Sequence, residues 1–145
     1  QFMEEMDAAF SYTNYEFADE DGVGIKKIVS VPKSLTYNQA LKNTTIFTST
    51  VMFDLDKLPR ELTYMPDVPS EDTATWWQVL RNGYTAYGLK RSLTIYRRSG
   101  HTLSSNKVEA IKRAWNLYRN VEKLSLAKSI VCFSGYAFHA VWRRL

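Results

Sequence analysis

Residues 69–77, near the middle of the chain, place two adjacent carboxylates at the start of a predicted helix that also carries two tryptophans. Ser70 is a suitable N-cap, so Glu71 and Asp72 fall in the first turn, where unpaired amides and the helix dipole favour ionised carboxylates. The dipole contributes only about 0.3–1 kcal/mol per charge, and acids at helix starts are common for stability alone. The pattern predicts a helix over 71–81, and these residues by themselves favour plain helix initiation over chemistry.

The segments around this helix predict an α/β fold. Asn82-Gly83 is a usual left-handed signal for the end of the helix, and Thr36 with Gln39 predicts a capping box that starts a shorter helix. Alternating or β-branched runs predict strands over 9–17, 26–31, 46–54, 84–89 and 92–98. These strands and helices together predict a mixed sheet flanked by helices.

Four short motifs then follow one another along the chain: Glu71-Asp72, Trp76-Trp77, Tyr96-Arg97 and Thr102-Leu103-Ser104. Their order resembles the C-terminal half of the catalytic domain of family 2 glycosyltransferases, which have the GT-A fold. The segment 8–15 is similar to the strand that follows the family's nucleotide-sugar and metal site, so the resemblance covers most of residues 1 to 120. It implies a partial GT-A-like mixed sheet.

The resemblance also implies a division of the chain and a mechanism. Residues 1–105 would be the C-terminal, acceptor-side half of the catalytic domain, and residues 106–145 a helical extension packed on it. The implied reaction is inverting sugar transfer from a nucleotide-activated donor, with Asp72 as the base that deprotonates the acceptor hydroxyl. Glu71 would orient the acceptor, or only favour the helix start.

The two tryptophans are expected in different surroundings. Consecutive helical residues lie about 100° apart, so at most one of them faces an acceptor cleft. Trp77 shares a helix face with Ala74 and Leu80 and is expected in the core, which leaves Trp76 as the candidate sugar-facing platform. Packing of both rings between helix and sheet is the open alternative.

Arg97 and Arg98 follow a predicted strand and are candidates for contact with a diphosphate. A guanidinium group pairs bidentately with phosphate oxygens, which is why arginine is frequent at such sites. Ordinary surface charge is an equal alternative for both residues. His101 and His139 are far apart and have no Cys or acidic ligands at metal spacing, so no metal site is expected within this chain.

The sequence lacks two features of the family, the nucleotide-binding strand and the upstream Asp-x-Asp metal motif. Asp54-Leu55-Asp56 matches the Asp-x-Asp pattern, but it follows the strand before the acidic helix, which is the wrong place in the fold. We therefore expect a fragment without the donor half, in which a divalent metal, Mg²⁺ or Mn²⁺, is bound by the full-length enzyme only. The isolated fragment is expected to be inactive and to self-associate through its exposed edges and apolar faces.

Composition limits the other functions open to the chain. A formal net charge of +4 and a pI near 9.2 permit binding to nucleic acid or to an anionic membrane. The basic residues are spread out and no nucleic-acid recognition motif accompanies them, so nucleic acid is not an expected partner. The lone Cys132 lies in an apolar stretch and is expected to be a buried, inert thiol.

The last forty residues predict two helices, one from Asn106 and one over about 126–144 that ends in Trp142-Arg143-Arg144. Their apolar residues favour core packing, with a partner protein or a peripheral membrane contact as the alternatives. The longest apolar run is shorter than the roughly 20 residues that span a bilayer.

A nucleotide-sugar glycosyltransferase is the favoured function, ahead of a noncatalytic protein-interaction domain and a basic nucleic-acid-binding module. The resemblance implies a nucleotide-sugar and a saccharide or lipid-linked acceptor as partners of the full-length protein. Cell-surface polysaccharide synthesis in a bacterium is the family's most frequent setting, in the cytoplasm or at the inner face of the membrane.

Overall fold

A long strand near the N-terminus, β1, runs through the middle of the sheet in the computed structural model, which describes residues 1–19, 21–97 and 107–142. In the described residues the strands are β1 (Phe10–Ala18), β2 (Gly24–Val29), β3 (Ser34–Leu35), β4 (Met52–Phe53) and β5 (Ala86–Arg97). β1 pairs in parallel with β5 on one side, and antiparallel with β2 and β4 on the other. β3 pairs antiparallel with the outer edge of β5. The predicted mixed sheet is confirmed.

Helices accompany the sheet as predicted. They are α1 (Phe2–Glu5), α2 (Tyr37–Ala40), α3 (Glu71–Arg81), α4 (Lys107–Asn116) and α5 (Leu126–Trp142). A π-helical turn, Leu117–Val121, follows α4, and two 3₁₀ turns cover Thr48–Thr50 and Arg60–Thr63. α3 ends where Gly83 takes a φ of 95°, a left-handed conformation that glycine adopts without steric cost.

The predicted strand over 46–54 is wrong except at its end, where β4 pairs with β1. The Phe47 carbonyl accepts the Thr50 amide at 2.8 Å in the 3₁₀ turn Thr48–Thr50, and the Thr50 hydroxyl donates to the same oxygen at 2.7 Å. Threonine side chains offer the backbone such local partners in place of a strand ladder. The β-branched composition of this segment therefore did not produce a strand.

The separate strands predicted over 84–89 and 92–98 are one continuous strand in the structure, β5. Its pairing with β1 shifts register between Thr13 and Asn14. Thr13 lies opposite Leu89, but the next residue, Asn14, lies opposite Ser92, so the two intervening residues of β5 have no partner position in β1. The irregularity accommodates Lys90 and Arg91, the two basic residues that the sequence suggested as a break. Pairing with β1 on both sides of these two residues therefore keeps β5 continuous.

The two predicted helix caps have different outcomes. At Thr36 the capping box is present, because the Gln39 side chain accepts the Thr36 amide at 2.9 Å. Ser70 occupies the N-cap position of α3, but it has a φ of 62° and its side chain makes no capping hydrogen bond. The expected capping role of its hydroxyl is therefore wrong, although the Ser70 carbonyl accepts the first helical bond, from Ala74, at 3.1 Å.

One hydrophobic core joins the sheet, α3 and the C-terminal helices. The Trp77 ring stacks on the Tyr118 ring with centroids 5.3 Å apart, and the Tyr118 hydroxyl donates to the Leu41 carbonyl at 2.5 Å. Cys132 of α5 is buried in the same core, as predicted. Within the described residues, no helix combines the length and apolar character needed to cross a membrane.

A buried carboxylate also ties the C-terminal segment to the rest of the fold. The Glu122 side chain is only 1% exposed and accepts a 2.7 Å hydrogen bond from Nη1 of Arg81, at the end of α3. The Tyr37 hydroxyl of α2 donates to the same carboxylate oxygen. Three separate segments therefore meet at Glu122.

Candidate functional site

A cleft of about 550 Å³ opens at the N-terminal end of α3. Glu71 and Asp72 line it, together with Tyr96 near the end of β5. The C-terminal helices form its other wall through Arg113 of α4 and Tyr136 of α5. The structure thus brings the acidic pair into a cavity with a cation and two phenol groups, an arrangement suited to a polar ligand.

Asp72 is half-buried at the edge of this cleft, and protein groups hold its carboxylate. The Thr48 hydroxyl donates to Oδ2 at 2.9 Å, and the Thr73 amide donates to Oδ1 at 2.7 Å. Both bonds favour one orientation of a carboxylate that faces the cavity. Such a group can accept a proton from a ligand hydroxyl, which is the chemistry of a general base.

Glu71 is exposed at the rim of the same cleft, and its backbone carbonyl accepts the Thr75 hydroxyl at 2.7 Å within α3. The two acids therefore differ in surroundings, since Asp72 has a fixed carboxylate and Glu71 lies in solvent. An exposed carboxylate can accept a hydrogen bond from a ligand hydroxyl and so orient it.

The structure does not support the choice of Trp76 as a sugar-facing platform. Trp76 is only 4% exposed, and its ring lies 5.7 Å from both Phe10 and Phe53 in the core. Trp77, which the sequence placed in the core, is also buried but does line the cleft beside Asp72. Both faces of α3 are covered, but the alternative that packs both rings between helix and sheet holds for Trp76 only, because Trp77 stacks on Tyr118 of the C-terminal segment.

A cluster of aromatic rings that the sequence did not predict surrounds Tyr96, the tyrosine of the Tyr96-Arg97 motif, behind the cleft. The Tyr96 ring is 4.6 Å from Phe47, 5.6 Å from Phe17 and 6.4 Å from Tyr15, measured between centroids. Phe17 and Tyr96 are also register partners in the β1–β5 pair. The alternation of aromatic residues in β1 was the available signal, but only the strand pairing shows where they meet.

Arg97 is exposed at the end of β5, one residue after the cleft-lining Tyr96. It pairs in register with Ala18 of β1 and is not among the residues that line the cleft. Arg98 and the motif Thr102-Leu103-Ser104 lie outside the described residues, so the structure brings together only part of the predicted binding set.

Sequence reasoning missed Arg113 and Tyr136, although they form a wall of the cleft. The helical pattern predicted that α4 and α5 pack on the protein, but periodicity alone does not say which residues of a helix reach a distant loop. The basic character of α4 was the one available signal for Arg113.

The described residues contain no group of three or more His, Cys, Asp and Glu side chains placed to hold a metal ion. In Asp54-Leu55-Asp56, the Asp56 amide donates to Oδ1 of Asp54 at 3.0 Å, and Lys57 lies 3.9 Å from the other Asp54 oxygen. These contacts make a local turn with a neighbouring cation. The residues that the structure describes therefore do not fit a divalent metal.

Comparison with known proteins relates this chain to enzymes of one kind. Over its whole length the chain is 42% identical to TuaG of Bacillus subtilis, a glycosyltransferase assigned by its name to teichuronic acid biosynthesis. The match covers 57% of TuaG. The chain is 30% identical to WfaP of Escherichia coli, named as a UDP-Glc:α-D-GlcNAc-diphosphoundecaprenol β-1,3-glucosyltransferase. This match covers 97% of the chain and 54% of WfaP. WfgD of Escherichia coli, whose name gives the same activity, is 32% identical to the chain. That match covers 83% of the chain and 46% of WfgD.

No protein-family profile and no solved structure matches the sequence. The chain spans about half the length of the curated relatives it matches. Neither a protein-interaction domain nor a nucleic-acid-binding module is favoured by these relatives. The predicted resemblance is therefore confirmed at the level of activity class: over nearly all of its length, the chain is homologous to a part of bacterial glycosyltransferases.

Proposed function

We propose that this chain is the acceptor-side part of an inverting glycosyltransferase of family 2, with a GT-A-like fold, that acts in bacterial cell-surface polysaccharide synthesis. The observation that carries the proposal is the position of Asp72, a hydrogen-bonded carboxylate at the edge of a cleft, in a chain that is homologous to part of glycosyltransferases. The proposal includes the division into an acceptor-side half, 1–105, and a helical extension, 106–145.

Asp72 acts in this proposal as the general base. Its carboxylate takes the proton of the acceptor hydroxyl while the acceptor oxygen forms a bond to the anomeric carbon and the bond from that carbon to the nucleotide diphosphate breaks. A single displacement of this kind inverts the anomeric centre. Thr48 and the Thr73 amide keep the carboxylate oriented, and Glu71 at the rim holds the acceptor in place.

The substrates are proposed as classes, a nucleotide-sugar donor and a saccharide or lipid-linked acceptor. The names of WfaP and WfgD specify UDP-glucose and a diphosphoundecaprenol-linked sugar, and that of TuaG specifies teichuronic acid. Tyr96 and Tyr136 replace Trp76 as the proposed sugar contacts, because they line the cleft and Trp76 does not. Arg97 and Arg98 remain proposed contacts of the donor diphosphate.

A divalent cation, Mg²⁺ or Mn²⁺, is proposed only for the complete enzyme, since the described residues offer no cluster that would hold it. There it would neutralise the charge of the leaving diphosphate. The cytoplasmic side of the membrane is the proposed location, because activated nucleotide-sugars are the proposed donors.

The test is sugar transfer by the natural protein that contains this chain, with UDP-, GDP- and dTDP-sugars and a polyprenyl diphosphate-linked acceptor. Asp72→Asn keeps the shape of the side chain and should lower turnover by about 10²- to 10⁴-fold, the usual contribution of a general base. Asp67→Asn, an exposed acid in the loop before α3, is the matched control and should retain activity. Equal turnover by wild type and a folded Asp72→Asn variant would overturn the assignment of the base.

A further inference from the structure

One side of α5 carries six large apolar side chains that face solvent, here called the α5 face. Each is between 51% and 67% exposed: Leu126, Ile130, Val131, Phe138, Val141 and Trp142. At 100° per residue these positions fall within an arc of about 160°. Lys128 and His139 lie outside that arc, and the other residues within it are the small Ala127, Ser134 and Ala137, so the α5 face of this described helix is uncharged.

The opposite side of α5 is already covered by protein. Cys132 is buried there, Phe133 and Tyr136 pack against the core, and the Phe133 ring meets the Trp115 ring at 5.9 Å. Exposed apolar patches of this kind mark interaction surfaces. Within the described residues nothing covers the α5 face.

The charge of the surrounding segment indicates what kind of surface would cover it. Residues 107–142 contain six Lys and Arg against two Asp and Glu, a formal charge of +4 that equals the net charge of the whole chain. One of the two acids, Glu122, is 1% exposed and already paired with Arg81. The segment that carries the α5 face therefore has a positive net charge, which disfavours a second copy of the same segment and favours an anionic partner.

We propose that the α5 face is a membrane-contact surface that lies flat on an anionic bilayer. An interfacial helix combines an exposed apolar face with nearby cations, and tryptophan is favoured at the boundary between lipid and water, as for Trp142. No described helix, α5 included, has the character needed to span a membrane, so the contact is peripheral.

The candidate site lies on the other side of the same helix, because Tyr136, which faces away from the α5 face, lines the cleft; the two surfaces are about one helix diameter, ~10 Å, apart. Contact of α5 with lipid therefore holds the cleft beside the bilayer. This last step rests on the proposed function, since it gives the cleft access to the head group of a lipid-linked acceptor; the membrane contact itself does not depend on it.

The test is flotation of the natural protein that contains this chain with vesicles of phosphatidylglycerol and phosphatidylcholine, beside vesicles of phosphatidylcholine alone. Wild type should float with the anionic vesicles, and less so as salt is raised. The double variant Phe138→Ser/Val141→Ser should lose at least about tenfold in binding, because two side chains no longer enter the lipid. Tyr64→Ser, which changes a residue 61% exposed far from α5 in sequence, is the control and should bind as wild type does.

Fluorescence gives an independent reading of the same contact. Brominated lipid should quench the emission of Trp142, whereas Trp142→Phe should still float but lose that quenching.

Failure of wild type to float with anionic vesicles, or equal flotation of the double variant, would overturn the proposal. Concentration-dependent dimerisation that the double variant abolishes, without flotation, would assign the α5 face to a second copy instead. No sugar substrate enters these assays, so their result is separate from that of the transfer assay.

Discussion

The Thr48 hydroxyl donates a 2.9 Å hydrogen bond to Oδ2 of Asp72, from a segment 24 residues earlier in the chain. The bond exists because residues 48–50 form a 3₁₀ turn instead of the predicted strand. That turn holds a hydroxyl over the start of α3, and the Thr73 amide holds the second oxygen of the same carboxylate. Thr48 is therefore a positioning residue for the proposed base.

Thr48→Val should lower turnover by about three- to tenfold, since one net hydrogen bond contributes about 0.5–1.5 kcal/mol. The loss should appear in kcat, because the orientation of Asp72 affects the reacting state. Thr48→Ser keeps the hydroxyl and should restore most of the rate. Steady-state kinetics of the three proteins check this, and equal rates for Thr48→Val and wild type would contradict the positioning role.

Glu122→Ala should destabilise the fold by about 1–3 kcal/mol, because it leaves the Tyr37 hydroxyl without its acceptor and Arg81 without its buried partner. Arg81 is 45% exposed, so water compensates part of the lost ion pair. Glu61→Ala, at an exposed acid in a 3₁₀ turn, should change stability by less than about 0.5 kcal/mol. Urea unfolding followed by circular dichroism measures both, and matching midpoints would show that Glu122 does not hold the C-terminal segment.

Gly88→Ala should destabilise the sheet by about 1–3 kcal/mol or more. An added Cβ at Gly88 would lie 2.0 Å from the Pro32 carbonyl oxygen, a backbone atom that also accepts the Tyr12 hydroxyl. The matched control is Gly24→Ala, where the nearest atom, at 2.6 Å, is the carboxylate end of Glu16 and can move. Thermal and urea unfolding should separate the two variants; a tolerated Gly88→Ala would contradict the close approach of β5 to Pro32.

Cys132 should be unreactive in the folded protein. The side chain is buried, and burial raises the pKa of its thiol, which disfavours the reactive thiolate at neutral pH. A coloured disulfide reagent should react slowly under native conditions and at once in urea. Immediate reaction of the native protein would mean that α5 does not cover Cys132.

Stability should fall as pH rises above about 10, the ordinary tyrosine pKa. Burial raises the pKa values of Tyr12 and Tyr118, and burial with the neighbouring Glu122 raises that of Tyr37. In this window the folded state keeps protons that the unfolded state releases, so each rise in pH favours unfolding. Absorbance at the tyrosinate band should show a late phase that coincides with loss of circular dichroism. Full tyrosine titration with the helical signal intact would contradict this, and Tyr118→Phe should reduce the late phase.

Local signals in the sequence were sufficient where the structure is local. The bounds of α3 were predicted because the acids at its start and Gly83 at its end act within one turn, and β1 was predicted from its own alternation. The segment 46–54 failed because threonine hydrogen bonds to nearby carbonyls outweighed its strand propensity. The division of β5 failed because its continuity depends on a partner strand far away in sequence.

The candidate site divides in the same way. Asp72 and Glu71 were found because their position on α3 is a local property. Arg113 and Tyr136 were missed because long-range packing alone brings α4 and α5 to the cleft. The Trp76 assignment assumed that one face of α3 was open, whereas sheet residues cover one side and Tyr118 covers the other.

The parallel pairing of β1 with β5 also has a consequence for how the chain folds. The segment 19–85 forms a loop between these two strands when they pair. The chain therefore loses the conformational entropy of that loop before the hydrogen bonds and side-chain contacts of the pair stabilise it. During synthesis β1 leaves the ribosome long before β5 exists, and its edge and aromatic side chains stay uncovered in the interval. Production of this protein should therefore be limited by aggregation of nascent chains, and slower translation at lower temperature should raise the soluble yield.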